Sequence, residues 1–586
     1  MSVVCFRLGP VVATVRAERQ LMLDVGMAQL TSIPSEVAET GEVFTRAWIV
    51  DLILDLAGYD VERDLAAMVA VEPACGAGAF LGPMTARLSA SCRRHGRRLG
   101  EARGAIRAFD LLPPNVAASR RVVETVLIQD GWPVEDVALA AETWVQAGDY
   151  LLSDHDDSVD FVLGNPPYIR LEDVPGDRMA AYRAACPTMT GRSDIYVGFF
   201  EVGLQSLKPG GILGFVCADR WMRNQYGRQL RQLIAAHYSV QATVTMHDVD
   251  AFHEQVSAYP AISILRRGRQ GPSIVADTGG NFAAEDARIL VGWSRTTAAE
   301  PIVTERLQAA RLPHWFGGGE SWPTGSPARL ALIEDLNDRF PLLEDPATGT
   351  RVGIGVATGA DRAFVTKTTS VEEDRLLPLS MVGDITSGWL SWSGHYLVNP
   401  WTEDGQLVDL DVFPRLRAYF ERHTSLLTKR HIAGKRPAQW YRTIDKVDHS
   451  LTKRPKLLLP DMKMTIHPVL DNGGLYPHHN LYYIVSDAWD LRVLGGLLLS
   501  RVAEAFVEAY AVRMRGGTLR FQAQYLRRIR VPRLEEISAR DRAALSDAFD
   551  RRDAGAATEI ALRLYQIDDP TGALTGGSTG VRARRS

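Results

Sequence analysis

Short apolar runs alternate with helical patterns through the first half of the chain. The runs VDFVL (159–163), GGILGFVCA (210–218) and YPAISIL (259–265) have the length and continuity of buried strands. Segments such as TRAWIVDLILDL (45–56) carry an apolar stripe at helical spacing, and Thr45 is predicted to cap that helix. This alternation predicts an α/β domain with a largely parallel sheet that is covered on both faces.

The pattern changes past the middle of the chain. The stretch WFGGGESWPTGSPARL (315–330) is rich in residues that break regular structure and predicts a domain boundary. We therefore divide the 586 residues into an N-terminal extension (1–34), a first domain (35–315), a second domain (316–535), and a C-terminal helix with a disordered basic tail (536–586).

Composition narrows the class of protein. The chain is 46% hydrophobic and 23% charged, which is ordinary for a soluble globular protein, and no signal peptide or membrane span is visible. Its five cysteines show no C-x-x-C spacing, so we expect neither disulfides nor a metal site, and we expect a cytoplasmic location. A net charge of −4 does not by itself indicate a nucleic-acid partner.

The motif GNPPYIR (164–170) follows the strand predicted at 159–163. Its two prolines end the strand and force a rigid, extended exit. That exit holds Asn165 and Tyr168 at the carboxyl end of a strand, where open α/β sheets bind ligands. By chance, Asn-Pro-Pro-Tyr would occur in a chain of this length less than about once in a hundred.

Other signals are weaker when each is taken singly. EPACGAGAF (72–80) places Gly76 and Gly78 in a turn between a strand and a helix, which fits a ligand loop or a plain turn. Asp110 and Asp149 each follow a short apolar run and fit either a ligand contact or a solvated strand end. Only the occurrence of the glycine loop, the two acidic residues and the Asn-Pro-Pro-Tyr motif in this order along the chain indicates a specific function.

That set resembles the class I S-adenosylmethionine-dependent DNA methyltransferases that act on adenine N6, in the branch typified by the TaqI modification enzyme. The second half is similar to the modification methylases of the PaeR7I and SalI type. The resemblance implies a mostly parallel seven-stranded sheet followed by a C-terminal DNA target-recognition domain. It also implies S-adenosyl-L-methionine as cofactor, double-stranded DNA as substrate, a monomer, and a role beside a separate restriction endonuclease.

The resemblance assigns roles to residues. Asp110 matches the ligand of the cofactor ribose, Asp149 the acceptor from its adenine amino group, and Phe199 the aromatic that covers that adenine. The complete set implied to bind the cofactor is Thr45, Glu72, Ala74, Gly76, Gly78, Asp110, Asp149, Tyr150 and Phe199. The implied catalytic set is Asn165, Pro166, Pro167 and Tyr168, with Phe252 as a second aromatic against the target base.

The chemistry of an exocyclic amine gives this tetrad a purpose. Adenine N6 is a poor nucleophile because its lone pair is delocalised into the ring. If Asn165 Oδ1 and the carbonyl of Pro166 each accept one N6–H, the nitrogen can pyramidalise towards a methyl donor. Tyr168 offers a face on which a base swung out of the duplex can stack. No metal is required.

A basic segment in the second half is the candidate DNA surface. Between Arg415 and Lys463 there are thirteen Lys and Arg residues and four acidic residues. The local net charge is therefore +9, in a chain whose net charge is −4. A solvated basic face is the alternative, but behind a base-modifying domain we predict phosphate contacts. The predicted contacts are Lys429, Arg430, Lys435, Arg436, Arg442, Lys453, Arg454 and Lys456.

Three other functions remain open on sequence alone. N-methyltransferases of protein glutamine or of RNA share the tetrad, but over 300 residues follow Phe252 here. A bifunctional restriction-and-modification enzyme would need a nuclease domain, and we expect the roughly 35 residues before the first motif to be too few for one. A non-enzymatic DNA-binding regulator would not need an intact tetrad and cofactor loop.

Overall fold

A computed structural model describes most of the chain. The described residues are 45–156, 158–170, 173–246, 249, 251–252, 260–298, 300–511, 519–568 and 573–574. The predicted N-terminal extension (1–34) and the predicted disordered tail after residue 574 lie outside the described residues.

The first half is built on one large sheet. Its strands are β1 (Ala70–Glu72), β2 (Ile106–Asp110), β3 (Val145–Ala147), β4 (Val159–Gly164), β5 (Leu207–Ala218), β6 (Tyr238–Met246), β7 (Pro260–Arg267), β8 (Ser273–Thr278), β9 (Ile302–Val303) and β10 (Leu307–Leu312). Their order is β3-β2-β1-β4-β5-β7-β6-β8-β10-β9. The pairs from β3 to β5 are parallel, and β7 is antiparallel to both neighbours.

This arrangement confirms the α/β class and extends it. Seven strands were implied, and β8, β9 and β10 lengthen the sheet beyond β6 to ten. β8 runs parallel to β6, while β10 is antiparallel to both β8 and β9. The added strands come from an irregular part of the sequence, where short runs such as LQAARL lack a clear strand pattern.

Helices cover this sheet. They are α1 (Ala47–Ala57), α2 (Leu81–Arg94), α3 (Pro113–Gln129), α4 (Val134–Trp144), α5 (Gly176–Ala185), α6 (Tyr196–Ser206), α7 (Arg220–Arg223), α8 (Arg228–His237) and α9 (Ala284–Ser294). The apolar stripe of α1, including Ile49, Val50 and Ile53, is fully buried and packs on β4, β5 and β7. Burial of an amphipathic stripe is the main source of helix stability in a protein.

The predicted cap at Thr45 is wrong. Helix α1 begins at Ala47, and Arg46 occupies the cap position without a side-chain capping bond. Thr45 instead forms an isolated antiparallel bridge with Phe252, and the backbone N–H of Arg46 donates to the carbonyl of Ala251 at 3.1 Å. This pairing ties the start of α1 to a segment that is two hundred residues away in sequence.

The predicted boundary at 315–330 is tightly packed. The buried guanidinium of Arg231 donates to the carbonyls of Gly319 at 2.9 Å and of Glu320 at 2.8 Å. Further along this stretch, the Trp322 N–H donates to the carbonyl of Met222 at 2.8 Å. The stretch is therefore held against the first half along its length.

The second half contains three small sheets. Its strands are β11 (Arg351–Ile354), β12 (Val365–Thr366), β13 (Leu376–Ser380), β14 (Tyr396–Val398), β15 (Lys456–Pro460), β16 (Met462–Lys463), β17 (Val469–Asp471), β18 (Tyr476–Pro477), β19 (Leu481–Val485) and β20 (Leu519–Arg520). The sheet orders are β11-β19-β15-β17, β12-β14-β13-β18 and β16-β20. Several of these pairings, such as β11 with β19 and β13 with β18, join strands far apart in sequence, which local patterns do not predict.

Eleven described helices accompany these sheets. They are α10 (Pro327–Arg339), α11 (Asp361–Phe364), α12 (Pro414–Arg422), α13 (Thr424–Leu427), α14 (His431–Lys435), α15 (His449–Lys453), α16 (Leu491–Leu499), α17 (Arg501–Tyr510), α18 (Ala523–Leu526), α19 (Ala539–Arg551) and α20 (Ala554–Tyr565). No described helix of either half is long and apolar enough to cross a membrane.

The C-terminal segment differs from the single helix predicted for it. Two helices, α19 and α20, pack on α16 and share its apolar core. At Gly495 and Gly496 of α16 any side chain would meet α19, since an added Cβ would lie 2.5 Å from the Phe549 ring and 2.4 Å from the Leu545 carbonyl oxygen. The segment after residue 535 is thus part of the core of the second half.

Candidate functional site

A cavity of about 400 Å³ opens at the carboxyl ends of β1, β2 and β4. Because these strands are parallel, their ends meet at one edge of the sheet, where ligands bind in this class of fold. The predicted residues that line the cavity are Thr45, Glu72, Ala74, Gly76, Asp110, Asp149, Tyr150, Asn165, Pro166, Pro167, Tyr168 and Phe199. The structure therefore brings the predicted tetrad and all of the predicted cofactor set except Gly78 into one space.

The loop after β1 forms one wall of this cavity. Gly76 and Gly78 have positive φ angles of 50° and 91°, which favour glycine. The N–H of Gly76 donates to Asp110 Oδ2 at 2.9 Å, which ties the loop to the end of β2. Gly78 does not line the cavity; an added Cβ there would lie 3.2 Å from the Val122 side chain. Gly78 therefore serves the turn itself, because any other residue would strain the backbone at this positive φ angle.

Two acidic side chains lie at neighbouring strand ends. Asp110 Oδ1 accepts from the backbone N–H of Leu112 at 2.8 Å, and Asp149 Oδ2 accepts from the Tyr182 hydroxyl at 2.7 Å. Tyr182 lines the cavity and was not predicted, since a single tyrosine in a helical pattern carries no signal. Beside these groups the rings of Tyr150 and Phe199 are stacked with centroids 5.8 Å apart, and they form an aromatic wall.

Glu72 tests whether the cavity suits S-adenosylmethionine. Its side chain is buried, and Oε2 has no hydrogen-bond partner among the described residues. Burial raises the pKa of Glu72 well above its usual range, and the nearby Asp110 carboxylate adds to the rise. A buried carboxylate beside a second one is costly unless a positive charge offsets it. The ammonium and sulfonium groups of S-adenosylmethionine supply such a charge, so the residues fit this cofactor.

This geometry predicts a pH dependence of cofactor affinity. The raised pKa of Glu72 means that its carboxyl releases a proton when a cation binds. At pH values below the raised pKa of Glu72, affinity for S-adenosylmethionine should therefore increase with pH, by up to about tenfold per pH unit for one released proton. Calorimetry over a pH series measures the slope, and Glu72→Gln should flatten it. An unchanged slope in that variant would assign the proton to another group.

The tetrad leaves β4 towards the cavity. Asn165 Nδ2 donates to Thr45 Oγ1 at 3.1 Å, and this bond turns Oδ1 of the same planar amide to the opposite side. Thr45 is itself buried, and its bridge to Phe252 fixes its position. The resemblance assigned Thr45 to the cofactor; the structure adds a contact to the amide of Asn165, for which the resemblance implies a catalytic role.

Aromatic rings support Tyr168. The Phe252 ring meets it edge-on with centroids 6.0 Å apart, and Tyr196 lies on another side at 6.4 Å. Phe252 is only 4% exposed and does not line the cavity. In this structure Phe252 therefore holds the Tyr168 ring in place, and its own contact with a target base stays a prediction.

The contact between Thr45 and Asn165 gives a testable consequence. Thr45→Val removes the acceptor for Asn165 Nδ2, so the amide loses a bond that helps to set its orientation. We expect kcat to fall about tenfold, the effect of roughly 1.4 kcal/mol of lost orientation, with KM for DNA unchanged. Thr45→Ser keeps the hydroxyl and should restore kcat. If Thr45→Val instead weakens only cofactor binding, the positioning role is wrong.

The basic segment divides into exposed and structural side chains. Lys429, Lys435, Arg436 and Lys453 are exposed, as phosphate contacts require. Lys456 is wrong as a DNA contact: it is fully buried.

The burial of Lys456 has a clear partner. Its ammonium lies 2.9 Å from Asp471 Oδ2, an acidic residue that is 2% exposed, and donates to the Arg454 carbonyl at 2.9 Å. The side chain of Arg454 in turn pairs with Asp487 at 2.7 Å. Lys456 cannot reach a phosphate from this position.

Arg430 also serves the fold. Its guanidinium donates to the carbonyls of Thr358, Trp440 and Arg442 at 2.8–2.9 Å and to that of Leu427 at 3.1 Å. With these bonds in place it braces loops, so the prediction of a DNA contact is wrong for this residue in the structure described.

Arg442 is half-buried. Its guanidinium lies 5.2 Å from the centre of the Trp401 ring and donates to Gln439 Oε1 at 3.2 Å. These contacts hold the side chain along the protein, and its DNA contact stays a prediction.

Comparison with known proteins places this architecture. The family model of the Eco57I restriction-modification methylase matches residues 132–252, which include the tetrad. Type II methyltransferase M.PaeR7I of Pseudomonas aeruginosa is 42% identical over 543 residues, 92% of this chain and 94% of that protein. Type II methyltransferase M.XhoI of Xanthomonas vasicola is 39% identical over 548 residues, 91% of this chain and 98% of that protein.

The fold has a solved counterpart. The type IIL restriction-modification enzyme MmeI, solved in complex with DNA, is similar with a TM-score of 0.56 and 11% identity, over 90% of this chain and 74% of that chain. The likeness concerns the fold alone and confirms the predicted fold class. The sequence identity to the two type II methyltransferases exceeds one third over nine tenths of the chain, and this identity shows the family. The chain belongs to the type II methyltransferases of restriction-modification systems.

Proposed function

We propose that this DNA methyltransferase transfers a methyl group from S-adenosylmethionine to N6 of an adenine swung out of double-stranded DNA. The observation that carries the proposal is the tetrad Asn165–Tyr168, which lies in the same cavity as the cofactor loop. The modification would protect DNA from a separate restriction endonuclease that reads the same site. We further propose that the protein acts as a monomer.

Within this proposal the protein supplies orientation and hydrogen-bond acceptors. S-adenosylmethionine, when bound, supplies an electrophilic methyl group. Asn165 Oδ1 and the Pro166 carbonyl accept the two N6–H groups of the target amine, which frees its lone pair from the ring and aims it at the methyl group. The fixed φ of Pro166 and Pro167 keeps the backbone acceptor aimed.

Tyr168 and the surrounding rings hold the base. Stacking a flipped base on an aromatic face is worth about 1–3 kcal/mol, which offsets part of the unstacking cost. Burial raises the pKa of the Tyr168 hydroxyl well above its usual range, so the ring stays neutral at any physiological pH. Its role is to provide a face and not to exchange a proton.

The direct test uses purified protein and cofactor labelled in its methyl group. Label should enter duplex DNA, and hydrolysis to nucleosides should yield N6-methyladenine. Incorporation as N4-methylcytosine would contradict the choice of base, and transfer only to RNA or to a protein glutamine would contradict the choice of substrate. Sequencing of methylated DNA then identifies the site that is read.

The exposed part of the basic segment predicts a salt effect. Replacing Lys429, Lys435 and Arg436 by alanine should weaken DNA binding and reduce the slope of log affinity against log salt, by about 0.9 for each lost phosphate contact. Cofactor affinity should be unchanged, because the cavity lies in the first half. The measurement is a salt titration of DNA affinity.

A matched control replaces three exposed arginines of the first half. Arg98, Arg103 and Arg121 are exposed there, and their triple alanine variant removes the same amount of charge. That variant should keep the wild-type slope. Equal slopes in both triple variants would show that the segment 429–436 is a solvated face.

A further inference from the structure

Three polar side chains meet in the second half, away from the cavity. They are Asp361 at the start of α11 and His478 and His479 in the turn between β18 and β19. One carboxylate oxygen and one nitrogen of each imidazole all lie within 4.8 Å of one another. The sequence does not reveal this group, because the group contains no cysteine and because Asp361 and the histidines are more than a hundred residues apart.

The backbone holds the two segments together. The N–H of Val356 donates to the Pro477 carbonyl at 2.9 Å, and the N–H of His479 donates to the Val356 carbonyl at 3.1 Å. Gly355 permits this approach, since an added Cβ would lie 2.2 Å from the Pro477 oxygen. The histidines are therefore placed beside α11 by contacts that do not depend on their own side chains.

The side chains have unused electron pairs. His478 is 2% exposed, and its Nε2 lies 3.1 Å from Asp361 Oδ2. Nδ1 of His478 and Nδ1 of His479 are buried and have no hydrogen-bond partner among the described residues. The Thr358 hydroxyl donates to the other carboxylate oxygen of Asp361 and so orients this group. Buried nitrogens without partners are uncommon and call for an explanation.

A simple histidine–aspartate pair accounts for only part of this arrangement. It explains the contact at 3.1 Å between His478 and Asp361 but leaves the buried Nδ1 of the adjacent His479 without a partner among the described residues. Two ligands of one metal, each at about 2.0–2.2 Å, are separated by about 3.0–3.4 Å, so the same contact fits two ligands of a shared ion. His479 then completes a set of two imidazoles and one carboxylate.

We propose that Asp361, His478 and His479 bind one divalent transition-metal ion of the zinc class. Two imidazole nitrogens and one carboxylate oxygen form a borderline ligand set that suits Zn²⁺ and Co²⁺ better than Mg²⁺ or Ca²⁺. Water completes the coordination. The ion joins α11 to the turn before β19 and stabilises the second half; methyl transfer does not use it.

The test is a Co²⁺ titration of the full chain, purified without a polyhistidine tag and stripped with a chelator. We expect visible absorption bands that saturate at one equivalent and disappear when Zn²⁺ is added. Asp361→Asn and His479→Ala should each lower Co²⁺ affinity at least tenfold. The control His431→Ala removes an exposed histidine outside the group and should bind as wild type does.

Thermal unfolding provides a second readout. An ion that binds only the folded chain raises Tm, and Zn²⁺ should do so for wild type and His431→Ala but not for Asp361→Asn. Asp361 is half-exposed, with 46% of its side chain accessible, so this variant keeps the fold even if a change at His478 does not. The proposal is wrong if wild type takes up no stoichiometric Co²⁺, or if Asp361→Asn and His479→Ala both bind it as tightly as wild type.

Discussion

Replacing Asn165 with alanine should abolish methyl transfer while cofactor binding survives. In the proposed mechanism the side chain supplies one of the two acceptors for the target amine, and losing a directed hydrogen-bond group of this kind costs about 100-fold or more in kcat. Asn165 Nδ2 donates to Thr45, and the cofactor loop is fixed by a separate bond, from the N–H of Gly76 to Asp110. Single-turnover kinetics measures the first effect, and calorimetry with S-adenosylmethionine the second.

Two controls separate chemistry from folding. Asp110→Ala should weaken cofactor affinity first, because its carboxylate positions the loop at Gly76. Asn165→Asp keeps the shape of the side chain but cannot donate to Thr45, and it should also be impaired. Turnover near the wild-type rate in Asn165→Ala would overturn the proposed mechanism.

Replacing Lys456 with alanine should destabilise the protein strongly, by about 3–5 kcal/mol, and not act on DNA at all. The ammonium is fully buried at 2.9 Å from Asp471, which would be left as an unpaired buried charge. Burial lowers the pKa of Lys456, and Asp471 opposes that shift, so the pair depends on both partners. Urea unfolding followed by circular dichroism gives the free energy of unfolding.

The matched control is three residues away. Lys453→Ala removes an exposed lysine from the same segment, and its free energy of unfolding should stay within about 0.5 kcal/mol of wild type. The double variant Lys456→Met/Asp471→Leu removes both charges and should recover much of the loss. If Lys456→Ala is as stable as Lys453→Ala, the buried pair does not hold the second half together.

The cavity was predictable because of how parallel strands are arranged. Asp110, Asp149 and Asn165 each follow an apolar run, and parallel strand ends necessarily meet at one edge. Contacts between distant segments were not predictable. Thr45 lies 120 residues from Asn165, and no periodicity pairs them. The three added strands likewise depend on pairing that local sequence does not show.

Basic residues of the second half differ in role in a way that the sequence does not show. Lys453 and Lys456 belong to one basic run, yet the first is exposed and the second lies at the start of β15, a strand that is buried throughout. Arg430 is as basic as its neighbour Lys429, but its guanidinium is used by backbone carbonyls. A count of charges records neither burial nor internal partners.

The packed stretch at 315–330 bears on which base of a DNA site would receive the methyl group. Arg231 fastens Gly319 and Glu320, and the N–H of Thr324 donates to the Ala509 carbonyl at 2.9 Å. These bonds attach the stretch to both halves, and we expect them to hold the halves at a constant separation. If the second half contacts the target bases, as the sequence predicts, the modified base should then lie at one constant offset from them. Exchange of the second half between relatives would then change the DNA sequence that is recognised, while the position of the methylated base within that sequence would stay the same.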